Sequence, residues 1–158
     1  MPITKAEGVA FADKLMAAFA AGFANNNHAE TTAGLFASEL SWDWSDGTKG
    51  EGKLSEIMGV MSKSWGFMVD TFIPLNTSVV VDTDRSIVFI SCDLVLNITG
   101  GLADENNPVA GAVVFALHLD NGICMGMGRK ITRWEGYWDN NNPGFPAAFG
   151  KILPKLGM

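Results

Sequence analysis

The sequence has little positive charge, and what it has is dispersed. Lysine and arginine together number 11 in 158 residues, against 17 aspartates and glutamates, which gives a formal net charge of −6. The basic residues are scattered along the chain, whereas binding to DNA, RNA or an anionic membrane depends on clustered Lys and Arg. We therefore expect neither nucleic acid nor a membrane as a partner.

Cysteine is scarce, and long apolar runs are missing. Cys92 and Cys124 both lie in apolar, strand-like segments. Two cysteines do not form a disulfide framework, so we expect buried, reduced thiols in a cytoplasmic protein. No run reaches the roughly 18 apolar residues of a membrane span. The segment Leu15–Ala24 is faintly similar to a signal-peptide core, but the acidic Glu7 and Asp13 precede it and its large residues fall at helical spacing.

The usual motifs of metal, phosphate and nucleophile chemistry are also missing. The two histidines and two cysteines are not spaced as metal ligands, and the sequence has no HExxH or CxxC. Gly126 and Gly128 lack the flanking pattern and the following helix of a phosphate-binding loop, and no serine elbow occurs. We therefore expect no metal and no cofactor.

Helical signals dominate the first half of what is most simply one domain, residues 1–158. Thr4 and Glu7 form a capping box, and behind it apolar residues recur at steps of three and four. That face consists of Val9, Ala12, Leu15, Phe19 and Phe23. The helix ends at the asparagines 25–27, and a short second helix then runs from Asn27 to near Phe36. The apolar stripe between residues 54 and 68 predicts a third helix.

Strand signals occur once among the helical segments, at residues 40–44, and dominate the second half. Leu40–Trp44 alternates apolar with polar residues, and period-two segments follow at 71–81, 86–99, 109–120 and 123–139. Asn121-Gly122 predicts a tight hairpin between the last two. Residues 143–158 are too apolar for a free tail and are expected to pack back on the domain. Helices followed by an antiparallel meander predict an α+β fold with the helices on one face of the sheet.

Alternation assigns the strand residues to two faces. Val88, Ile90, Cys92, Leu94, Leu96 and Ile98 should meet the helices. Counting from the hairpin at Asn121 places Val109 opposite Trp134. The inner face then holds Val109, Val113, Phe115, Leu117, Leu119, Thr132, Trp134, Gly136 and Trp138. The outer face holds Val114, Ala116, His118, Met125, Met127, Arg129, Arg133, Glu135, Tyr137 and Asp139. A bulge in this hairpin would exchange the faces beyond it.

The interior is therefore predicted to be rich in tryptophan. Pockets for small molecules are mostly apolar and aromatic with a few polar groups, so the tryptophans are candidates to line one. The predicted lining consists of Trp42, Trp44, Trp65, Cys92, Leu94, Trp134 and Trp138. Packing in an ordinary core is the alternative for each tryptophan.

The segment GRKITRWEGYWDNNNP, residues 128–143, resembles the end of proteins of the SnoaL-like, or nuclear-transport-factor-2-like (NTF2-like), superfamily and of limonene epoxide hydrolases. The resemblance extends over residues 5–142, including the glycine before the third helix. It implies a cone-shaped, curved, mixed or antiparallel sheet with three N-terminal helices that enclose a pocket. It also implies a homodimer formed through the outer sheet face.

The catalytic residues of the limonene epoxide hydrolases are not found at the matching positions of this sequence. The family's Tyr and Asn fall at Trp42 and Trp44, its Arg and Asp fall at Cys92 and Leu94, and its second Asp falls at Gly136. None of the five residues matches, so epoxide opening by that network is not expected.

Other members of the superfamily use an Asp or His in the cone as acid or base. The catalytic candidates here are Asp139, which ends the motif, and Asp93, whose position in its strand points outward. His118 points outward too. For His28, Asp70 and Glu56 we expect solvation.

Two functions remain open from the sequence. The resemblance implies an isomerase or polyketide cyclase-like enzyme acting on a terpenoid or polyketide-like substrate. The missing acid and base positions favour a non-catalytic binding or carrier protein for an apolar ligand, or a dimerising interaction domain.

Overall fold

The computed structural model describes residues 1–25, 27–45, 47, 49–53, 55–56, 69–98, 109–122 and 128–138. The helices and strands in this part of the chain are α1 (Lys5–Asn25), α2 (His28–Thr32), β1 (Phe36–Trp44), β2 (Lys49–Lys53), β3 (Val69–Asp82), β4 (Ile87–Ile98), β5 (Val109–Leu119) and β6 (Ile131–Trp138). The six strands form one sheet in the order β2-β1-β6-β5-β4-β3. All neighbours are antiparallel except β1 and β6, which are parallel. The fold is therefore α+β with a mixed sheet.

The first helix is as predicted. The Thr4 amide donates to the Glu7 carboxylate at 2.7 Å, and the Glu7 amide donates to the Thr4 hydroxyl at 3.1 Å, so the capping box is confirmed. These bonds lower the pKa of Glu7. The buried face consists of Gly8, Ala12, Leu15, Met16, Phe19, Gly22 and Phe23, and it packs on β3 and β4.

The next elements differ from the prediction. α2 ends at Thr32, and Phe36 begins β1 because the Leu35 carbonyl accepts the Ile131 amide at 2.8 Å and thereby starts the pairing with β6. β2 (KGEGK) was not predicted because it has no apolar residue, and it forms by pairing with β1. Most of the predicted third helix lies outside the described residues, so two helices are described where three were expected.

The boundaries of β3, β4 and β5 agree with the predicted segments to within two residues, but β6 begins at Ile131 instead of residue 123. Trp134 pairs with Leu117, so the predicted pairing of Trp134 with Val109 is wrong. The cause is the connection between the strands, which is longer than a two-residue turn. The Asp120 amide donates to the Lys130 carbonyl at 2.9 Å, and the Asp120 carboxylate accepts the Lys130 amide at 3.0 Å.

The two faces are nevertheless as predicted for most of β5 and β6, because the register error of eight residues is an even number. Val113, Phe115, Leu117, Leu119, Trp134 and Gly136 are buried on the inner face, the one that α1 covers. A register shift between His118 and Leu119 places Ile131 in the core and exposes Thr132. The prediction of Thr132 on the inner face is therefore wrong. In the described part of the chain, neither helix has the length and hydropathy to span a bilayer.

The packing of α1 on the sheet is testable at Gly8, which faces Val81 of β3. A Cβ at this position would lie 2.5 Å from Cγ2 of Val81, so Gly8→Ala forces one of the two elements to move. We expect Gly8→Ala to destabilise the protein by about 1–3 kcal/mol in urea denaturation, in spite of the better helix propensity of alanine.

Gly34→Ala is the matched control, because nothing lies within 4 Å of its Cβ position. Adding Val81→Ala should restore much of the stability that Gly8→Ala removes. A Gly8→Ala variant more stable than wild type would contradict this account of the packing.

Candidate functional site

The inner face of the sheet is built from rows of side chains that cross several strands. In one row Ile90 of β4 pairs with Phe115 of β5, which pairs with Gly136 of β6, which pairs with Trp44 of β1. Neighbouring rows run Val88–Leu117–Trp134–Trp42 and Cys92–Val113–Trp138. The rows bring tryptophans from the first and last strands together, although some ninety residues separate them in sequence.

Trp134 is the centre of an aromatic group on this face. Its ring stacks on Phe19 of α1 at 5.6 Å between centroids and lies 5.8 Å from Phe36. It makes edge-to-face contacts with Phe115 at 5.7 Å and with Trp44 at 5.2 Å. Trp44 also lies 6.2 Å from Trp138. We call these six residues, Phe19, Phe36, Trp44, Phe115, Trp134 and Trp138, the tryptophan cluster.

Gly136 provides the space for two of these rings. A Cβ here would lie 2.9 Å from Cζ3 of Trp138 and 3.1 Å from Cδ1 of Trp44. Trp138 is held at this end of the sheet by Ser45, whose hydroxyl accepts the Trp138 amide and donates to the Trp138 carbonyl, both at 3.0 Å. The glycine and this bridge together allow β1 and β6 to pair closely while each carries an indole.

Two indole N–H groups in the cluster are buried without a hydrogen-bond partner among the described residues. They belong to Trp44 and Trp134, whose side chains are 7% and 4% exposed. Buried donors are nearly always paired in proteins, so two adjacent unpaired donors are unusual. These two N–H groups are therefore hydrogen-bond donors that the cluster can present to a ligand.

The other residues predicted to line the pocket lie in different places. Cys92 and Leu94 are buried on the inner face of β4, as predicted, and burial raises the pKa of the Cys92 thiol to about 11, so it stays neutral. Trp42 is only partly buried and packs over Gly50 of β2. Trp65 lies outside the described residues.

The predicted acid–base candidates are not brought to the cluster by the described structure. Asp93 is exposed on the outer face, as the alternation predicts, and its carboxylate accepts a hydrogen bond from the Asn76 amide nitrogen at 2.8 Å. The sheet separates it from the tryptophans. Asp139 and the side chain of Asp70 lie outside the described part of the chain. Glu56 is exposed, as expected.

His118 belongs to a polar network on the outer face. Its Nε2 lies 2.7 Å from Oε2 of Glu135, and Arg133 and the Tyr137 hydroxyl donate to Oε1 of Glu135 at 3.2 and 3.4 Å. Burial alone would raise the pKa of Glu135, but the hydrogen bonds from His118 and Arg133 outweigh it and lower that pKa. Arg133 also lies 3.8 Å from Asp43. The described charges of this region therefore face away from the tryptophan cluster.

His28 is a buried group that sequence reasoning placed wrongly. It is 1% exposed, its ring lies edge-on to Phe23 at 4.3 Å, and neither ring nitrogen has a hydrogen-bond partner among the described residues. Its Nδ1 occupies space that a Cβ at Gly22 would need. The expectation of solvation is therefore wrong, because α2 folds back against α1 at this glycine. The one sign of this packing in the sequence is Gly22, and a glycine within a helix does not by itself indicate a close helix contact.

An open groove lies away from the cluster, between β1 and β2, and is lined by Glu39, Leu40, Ser41, Glu51 and Gly52. Two of its five lining residues are glutamates, which does not suit an apolar ligand. No group of three or more His, Cys, Asp or Glu side chains in the described ranges is arranged to hold a metal ion.

The chain has the NTF2-like fold. It is similar to an NTF2-like protein from Cytophaga hutchinsonii, with 12% identity, a TM-score of 0.54, and 87% of this chain and 100% of that chain covered. A putative polyketide cyclase from Pseudomonas putida matches with 17% identity, a TM-score of 0.58 and coverages of 81% and 91%. An LEH-like epoxide hydrolase from M. tuberculosis matches with 18% identity, a TM-score of 0.59 and coverages of 96% and 89%.

No protein-family model and no curated protein sequence matches this chain. At these identities the similar structures establish the fold and leave the activity open, as their different descriptions illustrate.

The burial of His28 makes the stability of the fold sensitive to pH. Burial lowers the pKa of His28 below its ordinary value of 6.5, so the unfolded chain binds a proton that the folded chain does not. The stabilising contribution is therefore present above about pH 6.5 and is lost as the pH falls from there towards the lowered pKa, with a slope of at most about 1.4 kcal/mol per pH unit.

We expect His28→Phe to flatten the dependence of the unfolding free energy on pH between 7.5 and 5.5, measured by urea denaturation. Gly34→Ala, which removes no titratable group and has open space at its Cβ position, is the control and should keep the wild-type slope. An unchanged slope in His28→Phe would refute the assignment.

Proposed function

We propose that this chain binds an apolar small molecule against the tryptophan cluster. The observation that carries the proposal is the gathering of five aromatic rings of the sheet and one of α1 against one sheet face. The neutral thiol of Cys92 belongs to the row that contains Trp138. Rings of this size supply a large apolar area and a rigid shape, which is how ligand pockets obtain affinity. A terpenoid or a polyketide-like polycycle has the matching chemistry.

Binding without catalysis is the form of the proposal that the described side chains support best. Acid–base chemistry requires a titratable group within hydrogen-bond reach of the substrate. Asp93, His118 and Glu135 lie on the outer face, and the Cys92 thiol is a poor acid or base at neutral pH because burial disfavours its thiolate.

An isomerase or cyclase is the second candidate. It is favoured by the similarity to a structure described as a putative polyketide cyclase and by Asp139, which directly follows Trp138 of the cluster in sequence. In this case Asp139 is the acid or base, and the tryptophan cluster positions the substrate and excludes water.

A homodimer formed through the outer sheet face completes the proposal. This face exposes Val114 by 37% and Tyr137 by 49%, and the two are paired across β5 and β6, so they form one apolar surface that association would cover. Further along the same two strands, Arg133 and His118 already pair with Glu135, so these charges are partly neutralised before association would desolvate them.

Ligand binding is tested with a panel of terpenoids and polycyclic polyketides, read by tryptophan fluorescence and thermal unfolding. A ligand at about a hundred times its Kd stabilises the folded state by about 2.7 kcal/mol, which corresponds to a rise in Tm of roughly 5–10 °C. Cys92→Met, which adds volume on the inner face, should weaken binding. Val114→Met is the matched control on the outer face and should not.

The outcomes separate the two candidates. Binding without any change in the ligands, as judged by mass spectrometry, supports the carrier. Turnover that Asp139→Asn abolishes while binding persists supports the enzyme. The absence of a shift or of quenching by every compound would reject both.

The dimer is tested by sedimentation velocity. Val114→Asp places a charge in the proposed interface and should convert the protein to monomer, whereas Ala17→Asp, on an exposed position of α1, should leave the dimer intact. If the wild-type protein is still monomeric at about 50 μM, a concentration well above the dissociation constant of a stable dimer, the proposal is contradicted.

A further inference from the structure

The two unpaired indole donors carry information about the ligand that the apolar rings do not. A buried N–H without a partner has lost its hydrogen bond to water and gained nothing in return, which destabilises the fold. One such group can be a local defect of packing. Here there are two, Trp44 Nε1 and Trp134 Nε1, on side chains whose ring centroids lie 5.2 Å apart.

The described protein around these donors supplies no acceptor. The neighbours of Trp134 in the cluster are the rings of Phe19, Phe36 and Phe115, which have no oxygen or nitrogen. Trp44 lies over Gly136, where Nε1 is 3.6 Å from the position that a Cβ would take. The Ser45 hydroxyl at this end of β1 is bonded to the backbone of Trp138.

We propose that the ligand of this site is a neutral apolar molecule that carries a hydrogen-bond acceptor, such as a ketone, ester or ether oxygen, and that the N–H groups of Trp44 and Trp134 bind that oxygen. This inference rests on the proposed ligand binding and adds the chemical group that is recognised. The rings supply affinity, and the two donors select the acceptor and orient the ligand.

The charge of the ligand follows from the same surroundings. No charged side chain belongs to the cluster, so a bound anion would be buried without a counter-charge, which is costly. A cation would gain from the aromatic faces but would leave both N–H donors unpaired. A neutral acceptor satisfies the donors without introducing a charge.

The test uses two ligands of the same shape, trans-2-decalone and trans-decalin, which differ in one carbonyl group. The measured quantity is the ratio of their dissociation constants, because decalin is the more hydrophobic and absolute affinities are not comparable. Replacing Trp44 and Trp134 together by Phe keeps aromatic rings but removes both donors. We expect the preference for decalone to fall about tenfold in this double variant.

Trp42→Phe is the matched control, since Trp42 is only partly buried and lies outside the pair of unpaired donors. It should leave the preference unchanged. If neither compound binds to wild type, the proposed function fails. If both bind and the double variant keeps the wild-type preference, ligand binding stands and the assignment of the donors is overturned.

A measurement on the wild-type protein covers the case in which the double variant does not fold. In ¹H–¹⁵N spectra the indole N–H resonances of Trp44 and Trp134 should move downfield with decalone and stay in place with decalin. Equal shifts with both compounds would overturn the assignment without any variant. Trimethylammonium, added as a third ligand, should cause no downfield shift, and a shift as large as that with decalone would overturn the preference for a neutral acceptor.

Discussion

The parallel pairing of β1 with β6 is the constraint on which the rest of the site depends. It joins the first strand to the last, so that Trp42 lies beside Trp134 and Trp44 beside Gly136. Parallel pairing needs a long crossover, and here almost the whole domain between the two strands provides it. The pairing is tied at both ends, by the Ile131 amide on the Leu35 carbonyl and by Ser45 on the Trp138 backbone. These two ties hold Trp44 of β1 next to Trp134 of β6.

Residues whose neighbours are local or alternate regularly were predictable from the sequence. The capping box of α1 and its apolar face depend on contacts three or four residues apart, and the buried side of β4 depends on simple alternation. The faces of most described residues of β5 and β6 were predicted correctly in spite of a wrong register, because an even shift leaves a side chain on its side of the sheet. The face of Thr132 was predicted wrongly because the register shifts between His118 and Leu119, and no pattern in the sequence predicts that shift.

Features that depend on distant partners were not predictable. β2 has no apolar residue of its own and is a strand only because β1 offers it a partner. The connection between β5 and β6 contains the strongest hairpin signal in the chain, Asn121-Gly122, yet Asp120 closes a wider loop by binding the Lys130 amide. His28 is buried because Gly22 lets α2 approach α1. Its burial therefore depends on how the two helices pack, which the sequence around His28 does not indicate.

Crowding around Gly136 connects the tryptophan cluster with the missing hydrolase carboxylate at that position. The resemblance to epoxide hydrolases aligns a catalytic aspartate with Gly136, and the rings of Trp44 and Trp138 already lie 3.1 and 2.9 Å from where a Cβ would begin at that position. A carboxylate there would have to displace an indole, and it would then be buried among aromatic rings without a counter-charge. The glycine and the tryptophans are therefore coupled, and neither can be exchanged alone. A single substitution towards the hydrolase residue at Gly136 would disrupt the pairing of β1 with β6 instead of creating an active site.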